Sequence, residues 1–139
     1  MMRGTSATRG IVHVHTELSF DGILQPATIA QKCRQRGLAF AAITDHAESM
    51  TGKLLDRLVT ECAAQSGPDF VLIPGLEHRY KHGVHVLALG QSTWVTGSSA
   101  EAMLRALTVD GCVLVAAHCA TPTDLPHEVI EMCTAVEIW

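Results

Sequence analysis

The feature that most constrains the fold is an alternation of short, wholly apolar runs with amphipathic segments. Residues 38–44 (LAFAAIT) and 112–117 (CVLVAA) carry almost no polar side chain, the pattern of a strand covered on both faces. Between them lie segments of helical period. In 51–65 (TGKLLDRLVTECAAQ), Leu54, Leu55, Leu58, Val59 and Cys62 recur at the spacing of one helix face. Residues 26–36 carry Pro26 near the first turn and Gly37 just past the end. Helices are also expected over 98–109, capped by Ser98 or Ser99, and over 124–133, capped by Asp124. Strands are expected at 10–14, as one run through 70–80 (FVLIPGLEHRY), at 84–90 and at 134–138. The polar Lys81-His82-Gly83 predicts a β-hairpin between the strand ending at 80 and the next, so that the hairpin covers residues 70–89.

Strand–helix alternation means βαβ units, with a parallel sheet and helices outside it. The 139 residues make one domain, 1–139, with about five β/α units, too few to close a barrel of ordinary size. The last apolar segment runs to Trp139 without a polar tail, so the domain reads as cut short at its C-terminus. A sheet left open in this way has an edge that a second copy or a covering subunit would pair.

Composition removes several function classes. With 47% apolar and 17% charged residues the chain is not disordered, and a net charge of −4 without a basic stripe argues against capture of long nucleic acid. The five cysteines are odd in number and form no C-x-x-C pair, which fits reduced, mostly buried thiols in a cytoplasmic protein. No apolar run reaches the roughly 18 residues of a membrane span. The opening MMRGTSATRG lacks the apolar core of a signal peptide. Histidine is the anomaly: eight residues against one tyrosine. Imidazole is the commonest metal ligand and the side chain best suited to proton transfer near neutral pH.

The histidines and carboxylates recur at strand ends. In HVHTELSFDG (13–22), His13 and His15 would project from one side of a strand, close enough to chelate one cation, and Asp21 follows in the loop. An H-x-H pair can equally be part of a polar sheet face. The run 38–43 ends in Thr44, Asp45 and His46, where Asp45 also suits a helix cap or turn. Glu77 follows a strand-like run, and a carboxylate there could bridge two cations. His85 shares a face with Leu87 and Leu89, where a hydrogen-bonded core role is the ordinary alternative. His118 follows a buried strand, and Glu137 sits within the final one. His78 and His82 read as rim or exposed residues of the hairpin, and His127 as a solvated helix residue. One rim would thus collect His13, His15, Asp21, His46, Glu77, His85 and His118. That mixed set suits Zn²⁺, Mn²⁺ or Fe rather than a thiolate site, and it exceeds what one zinc needs.

In order and approximate spacing, HVHTELSFDG, AAITDHAE, IPGLEH with VHVLALG, AAHCATP and AVEIW resemble the successive motifs of the PHP family, the polymerase and histidinol phosphatase domain. The resemblance implies a partial, distorted (β/α)7 barrel with two or three divalent metal ions at the strand C-termini. It implies hydrolysis of a phosphomonoester or phosphodiester through a metal-activated water. By motif position, His13 and His15 resemble ligands of a first metal, Asp21 and His46 those of a second, and Glu77 the bridging carboxylate. His85 and His118 resemble further ligands. A closing G-x-D-x-H motif of the family has no counterpart in these residues. Asp45, or a histidine free of metal, is the candidate to hold or protonate the leaving group. The expected substrate is a phosphorylated small molecule, a nucleotide or a nucleic-acid end, and the Ser19-to-Gly22 segment leans toward the nucleotide and oligonucleotide phosphoesterases. The alternative is a catalytically incomplete metal-binding or regulatory module, or a fragment of a longer PHP enzyme.

Overall fold

The computed structural model describes residues 8–119 and 124–138, so residues 1–7, residues 120–123 with the end of the AAHCATP segment, and Trp139 lie outside the described residues. Eight strands and four helices follow one another: β1 (Gly10–Val14), α1 (Pro26–Gln35), β2 (Phe40–Ile43), β3 (Asp45–His46), α2 (Gly52–Gln65), β4 (Val71–Ile73), β5 (Gly75–Arg79), β6 (His85–Leu89), α3 (Ala100–Val109), β7 (Val113–Cys119), α4 (His127–Met132) and β8 (Ala135–Ile138). They form two sheets, β1-β2-β4 and β3-β5-β6-β7-β8.

The sheets are two parts of one curved wall. Phe40 faces Val71 in the first sheet and His46 faces Glu77 in the second, so the same 31-residue offset (40 to 71, 46 to 77) runs through both. The ladder is interrupted at Pro74, which has no N–H to donate. The run expected as one strand over 70–80 is therefore two short strands that belong to different sheets. Pairing is parallel at every step except β5–β6 and β6–β7. The antiparallel steps come from the hairpin, whose turn is a 3₁₀ segment at Lys81–Gly83 with His82 at φ 58°. The parallel sheet inferred from strand–helix alternation is thus a mixed one, with the expected hairpin inside it, and the described residues do not close a barrel.

Helices cover the outer face in two groups. Ile29 and Cys33 of α1 and Leu55, Leu58 and Cys62 of α2 pack on Ala41, Ile43, Phe70, Leu72 and Leu76. Leu104 and Leu107 of α3 and Val129 of α4 pack on Val86, Ala88, Leu114 and Ala116. The alternate residues Leu87, Val115 and Ala117, with Leu89, form a small apolar layer on the inner face. Space is tight there: a Cβ on Gly75 would lie 2.5 Å from the Ala88 carbonyl oxygen and 2.9 Å from that of Ile43.

Helix ends follow their capping residues. Thr51 Oγ1 accepts from Leu54 N at 3.2 Å and Ser99 Oγ from Ala102 N at 3.1 Å, so Ser99 rather than Ser98 caps α3. The last helix departs from expectation. It starts at His127 after Pro126, with no side-chain cap; a proline disfavours helical backbone at the residue before it, here Leu125, so the helix does not run back to Asp124. All five cysteines are free; Cys33, Cys62 and Cys119 are buried, and burial pushes the Cys62 thiol up to about 12. No helix among the described residues is long and apolar enough to cross a membrane.

Candidate metal centre

Glu77, on β5, is the hub. It is 1% exposed, and its two oxygens face a crowd of imidazoles. Oε1 lies 2.5 Å from His85 Nδ1 and 3.0 Å from His118 Nε2. Oε2 lies 3.1 Å from His13 Nε2, 3.2 Å from His15 Nε2 and 3.6 Å from His46 Nδ1. Burial alone would raise this carboxyl; the hydrogen bonds from His13, His15, His118 and His85 outweigh it and hold it far below the usual carboxylate range. A second carboxylate, Asp21, lies 3.4 Å from His15 Nδ1 and 3.0 Å from His46 Nε2. Its partial desolvation is overcome by the bond to His46 and the charges of His15 and His46, so it too sits low.

All seven metal-ligand candidates of the sequence therefore meet, and the fold adds an eighth. Glu137 of β8 lies 2.9 Å from His13 Nδ1 and accepts from the His118 backbone N–H at 3.1 Å. The usable signal was its place in AVEIW, a carboxylate within an apolar strand. Burial opposes protonation of His13, but the bonds to Glu77 and Glu137 raise its pKa above the ordinary value.

The local backbone explains how two of the rings arrive. His13 and His118 have φ 63° and 57°, left-handed values uncommon for a side chain with a Cβ. Each lies where the ladder slips, between Ile11 and Val14 in β1 and between Ala116 and Cys119 in β7. The expected cause of the His13–His15 alignment, regular strand alternation, is thus replaced by a bulge: β1 ends at Val14 and His15 lies beyond it. His118 likewise stands inside β7 rather than after it. The loop from His15 to Asp21 folds back so closely that a Cβ on Gly22 would fall 1.9 Å from the Thr16 carbonyl oxygen.

Other candidates sit elsewhere. Asp45 is fully buried, with both oxygens bonded to Thr16, and burial raises its pKa against those bonds. His78 is not a rim residue: it is 4% exposed and bonded to the buried Gln91 at 2.7 Å, because on β5 it points away from Glu77 toward the helices. His82 and His127 lie outside the cluster, and His127 is largely exposed as expected.

The donor set fits divalent cations. His13, His15 and His46 each turn both ring nitrogens toward carboxylate oxygens. A neutral imidazole has one N–H, so it can satisfy one such oxygen and leaves the other facing a lone pair. A cation between nitrogen and oxygen would remove that conflict, as a second ring proton would. Four groups place ligand atoms within 4.8 Å of one another: His13-His15-Glu77, His13-His118-Glu137, His15-Asp21-His46 and Glu77-His85-His118. Imidazole with carboxylate is a borderline-to-hard set, without thiolate.

A PHP domain profile matches residues 12–116, about three quarters of the chain. The chain belongs to the PHP domain family. The fold agrees. A two-domain protein from Bacteroides vulgatus ATCC 8482, containing a predicted PHP-like metal-dependent phosphoesterase, superposes with a TM-score of 0.69 at 17% identity. The match covers 93% of this PHP chain and 43% of that one, so the chain spans about two fifths of that protein's length. A protein from Bifidobacterium adolescentis ATCC 15703, described by inference as a metal-dependent phosphoesterase, gives 0.65 at 18% identity over 96% of this chain and 78% of its own. Among curated proteins, none matches.

Proposed function

We propose that this PHP domain is a metal-dependent phosphoesterase. The observation that carries the reading is the gathering of five imidazoles around one buried carboxylate, with two more carboxylates at its flanks. His15, Asp21 and His46 would hold one cation. His13, with Glu77 or Glu137, and His85 with His118 would hold others, and Glu77 would be shared between them. Bound there, two or three divalent ions (Zn²⁺, Mn²⁺ or Fe) would supply Lewis acidity toward phosphate oxygens and water. The solved relatives described as metal-dependent phosphoesterases support the same class.

The chain's own residues contribute position and charge. Glu77 is sealed beneath the rings, so it cannot leave its place when ligands exchange above it. Glu137 fixes the His13 ring through Nδ1 and so leaves Nε2 aimed at the centre. Phe20 stacks on His46 with centroids 4.5 Å apart, and its other face is open at the mouth of the site. The substrate class is a phosphomonoester or phosphodiester: a small phosphate, a nucleotide or an oligonucleotide end.

The test is hydrolysis of p-nitrophenyl phosphate with Mn²⁺ or Zn²⁺, alongside metal analysis of the protein. Glu77→Gln keeps the shape and removes the shared charge, and should lower activity by about 100-fold or more. Full activity in that variant would overturn the role of Glu77. Bound metal without turnover on any phosphoester would favour the binding-module alternative.

A further inference from the structure

Asp45 stands in the sequence where a proton donor to the leaving group is expected, yet no substrate can reach it, because it is fully buried. Its carboxylate has another use. Oδ1 accepts from the Thr16 backbone N–H and Oδ2 from the Thr16 hydroxyl, both at 2.6 Å. The Thr16 hydroxyl oxygen in turn accepts from Leu18 N at 3.2 Å, and the Thr16 carbonyl accepts from Ser19 N at 3.0 Å. Ser19 Oγ then accepts from the His46 backbone N–H at 3.0 Å and lies 3.5 Å from His15 Nδ1. Thr16, Ser19 and Asp45 are all buried, so these bonds are shielded from water. The chain of bonds starts and ends on β3 and encloses the loop that carries His15 and Asp21.

The geometry points to Asp45, Thr16 and Ser19 as a clamp that positions the His15-Asp21-His46 group and leaves His85 and His118 to be held by their own strands. Asp45 is a positioning residue, not a catalytic one. Two of the three ligands in the first group lie on the clamped loop and the third on the strand to which the loop is bonded. His85 and His118 lie on β6 and β7, which the clamp does not touch. Loosening the clamp should therefore weaken one cation position and spare the other. The inference rests on the metal-centre reading, and the test separates the two.

The experiment is a Zn²⁺ titration of the full chain, followed through the ring resonances of the individual histidines. In Thr16→Val, which keeps the volume and loses the hydroxyl, His15 and His46 should need about tenfold more Zn²⁺ to reach half-change, the size typical of lost outer-shell support. His85 and His118 should respond as in the parent. Thr16→Ser should restore the parent response. Equal weakening at all four histidines, or none at His15 and His46, overturns the clamp. Should Thr16→Val fail to fold, Ser19→Ala, which removes the acceptor for His46 N–H and the hydroxyl beside His15 Nδ1, carries the same expectation. Absence of any Zn²⁺ response in the parent overturns the metal reading instead. The clamp is then read by hydrogen exchange in the metal-free protein. The Leu18 and His46 amides should exchange about tenfold faster in Thr16→Val and Ser19→Ala respectively, and unchanged rates overturn it.

Discussion

Of the three histidines with left-handed backbone among the described residues, His13, His82 and His118, two belong to the histidine–carboxylate cluster. His13 and His118 sit at φ 63° and 57°, and both aim a ring nitrogen at Glu77. Left-handed backbone costs an L-residue on the order of 1–2 kcal/mol, least for Asn, Asp and His and most for β-branched residues. Such cost concentrates at sites that use the geometry. This can be separated from the loss of the ring by comparing His118→Asn with His118→Val. Both lose a candidate ligand, so on the proposed metal-centre reading both should bind Zn²⁺ more weakly. In metal-free protein Asn should be more stable than Val by about 1 kcal/mol or more in urea unfolding. Equal stability would show that the backbone at 118 relaxes at no cost. The candidate ligands were legible in the residues because imidazole and carboxylate recur after apolar runs. The left-handed turn of His13 was not, since a bulge arises from how β1 meets β2 and carries no local signature here.

At the scale of elements, capping chemistry and prolines set the boundaries. Ser98 and Ser99 are alternatives by sequence, and the hydrogen bond from Ala102 N chooses Ser99. Ser99→Ala should destabilise the protein by about 1 kcal/mol, and Ser98→Ala by a few tenths at most. Equal effects in thermal unfolding would contradict the assigned cap. Pro74 shows the limit of local pattern. The apolar run from Phe70 to Tyr80 reads as one strand, but the missing N–H divides the ladder, and β4 and β5 join different sheets. The same division places Glu77 on the inner face of the second sheet, opposite His46. His78, one residue on, turns outward to Gln91, so an expectation of a rim histidine failed on a parity that only the pairing of β5 with β6 makes visible.

For the whole molecule, the site is where distant parts of the chain meet. His13 and Glu137 are 124 positions apart in sequence and bond across the two ends of the wall, from β1 to β8. Candidate ligands drawn from β1, β3, β5, β6, β7 and β8 are gathered only in the folded state, so on the proposed metal-centre reading cations should bind the native form and not the unfolded chain. Linkage then makes metal a stabiliser, by about 2.7 kcal/mol per site at a free concentration 100-fold above its Kd. Thermal unfolding should shift upward with Zn²⁺ or Mn²⁺ and return on addition of EDTA. A midpoint indifferent to both would exclude tight binding at the centre.

The amino-acid sequence by itself determined the strand–helix alternation, the reduced cysteines, the family motifs and seven of the eight candidate ligands, Glu77 among them, that the fold gathers into one cluster. These follow from local periodicity and from residue chemistry, which any short window contains. The tertiary structure alone decided the division of the wall at Pro74, the left-handed turns of His13 and His118, the burial of Asp45 away from the cluster and the entry of Glu137 into the site. Each of those depends on which strand lies beside which and on how the wall curves. Curvature and pairing are sums over contacts between residues far apart in the chain, and no single segment encodes them.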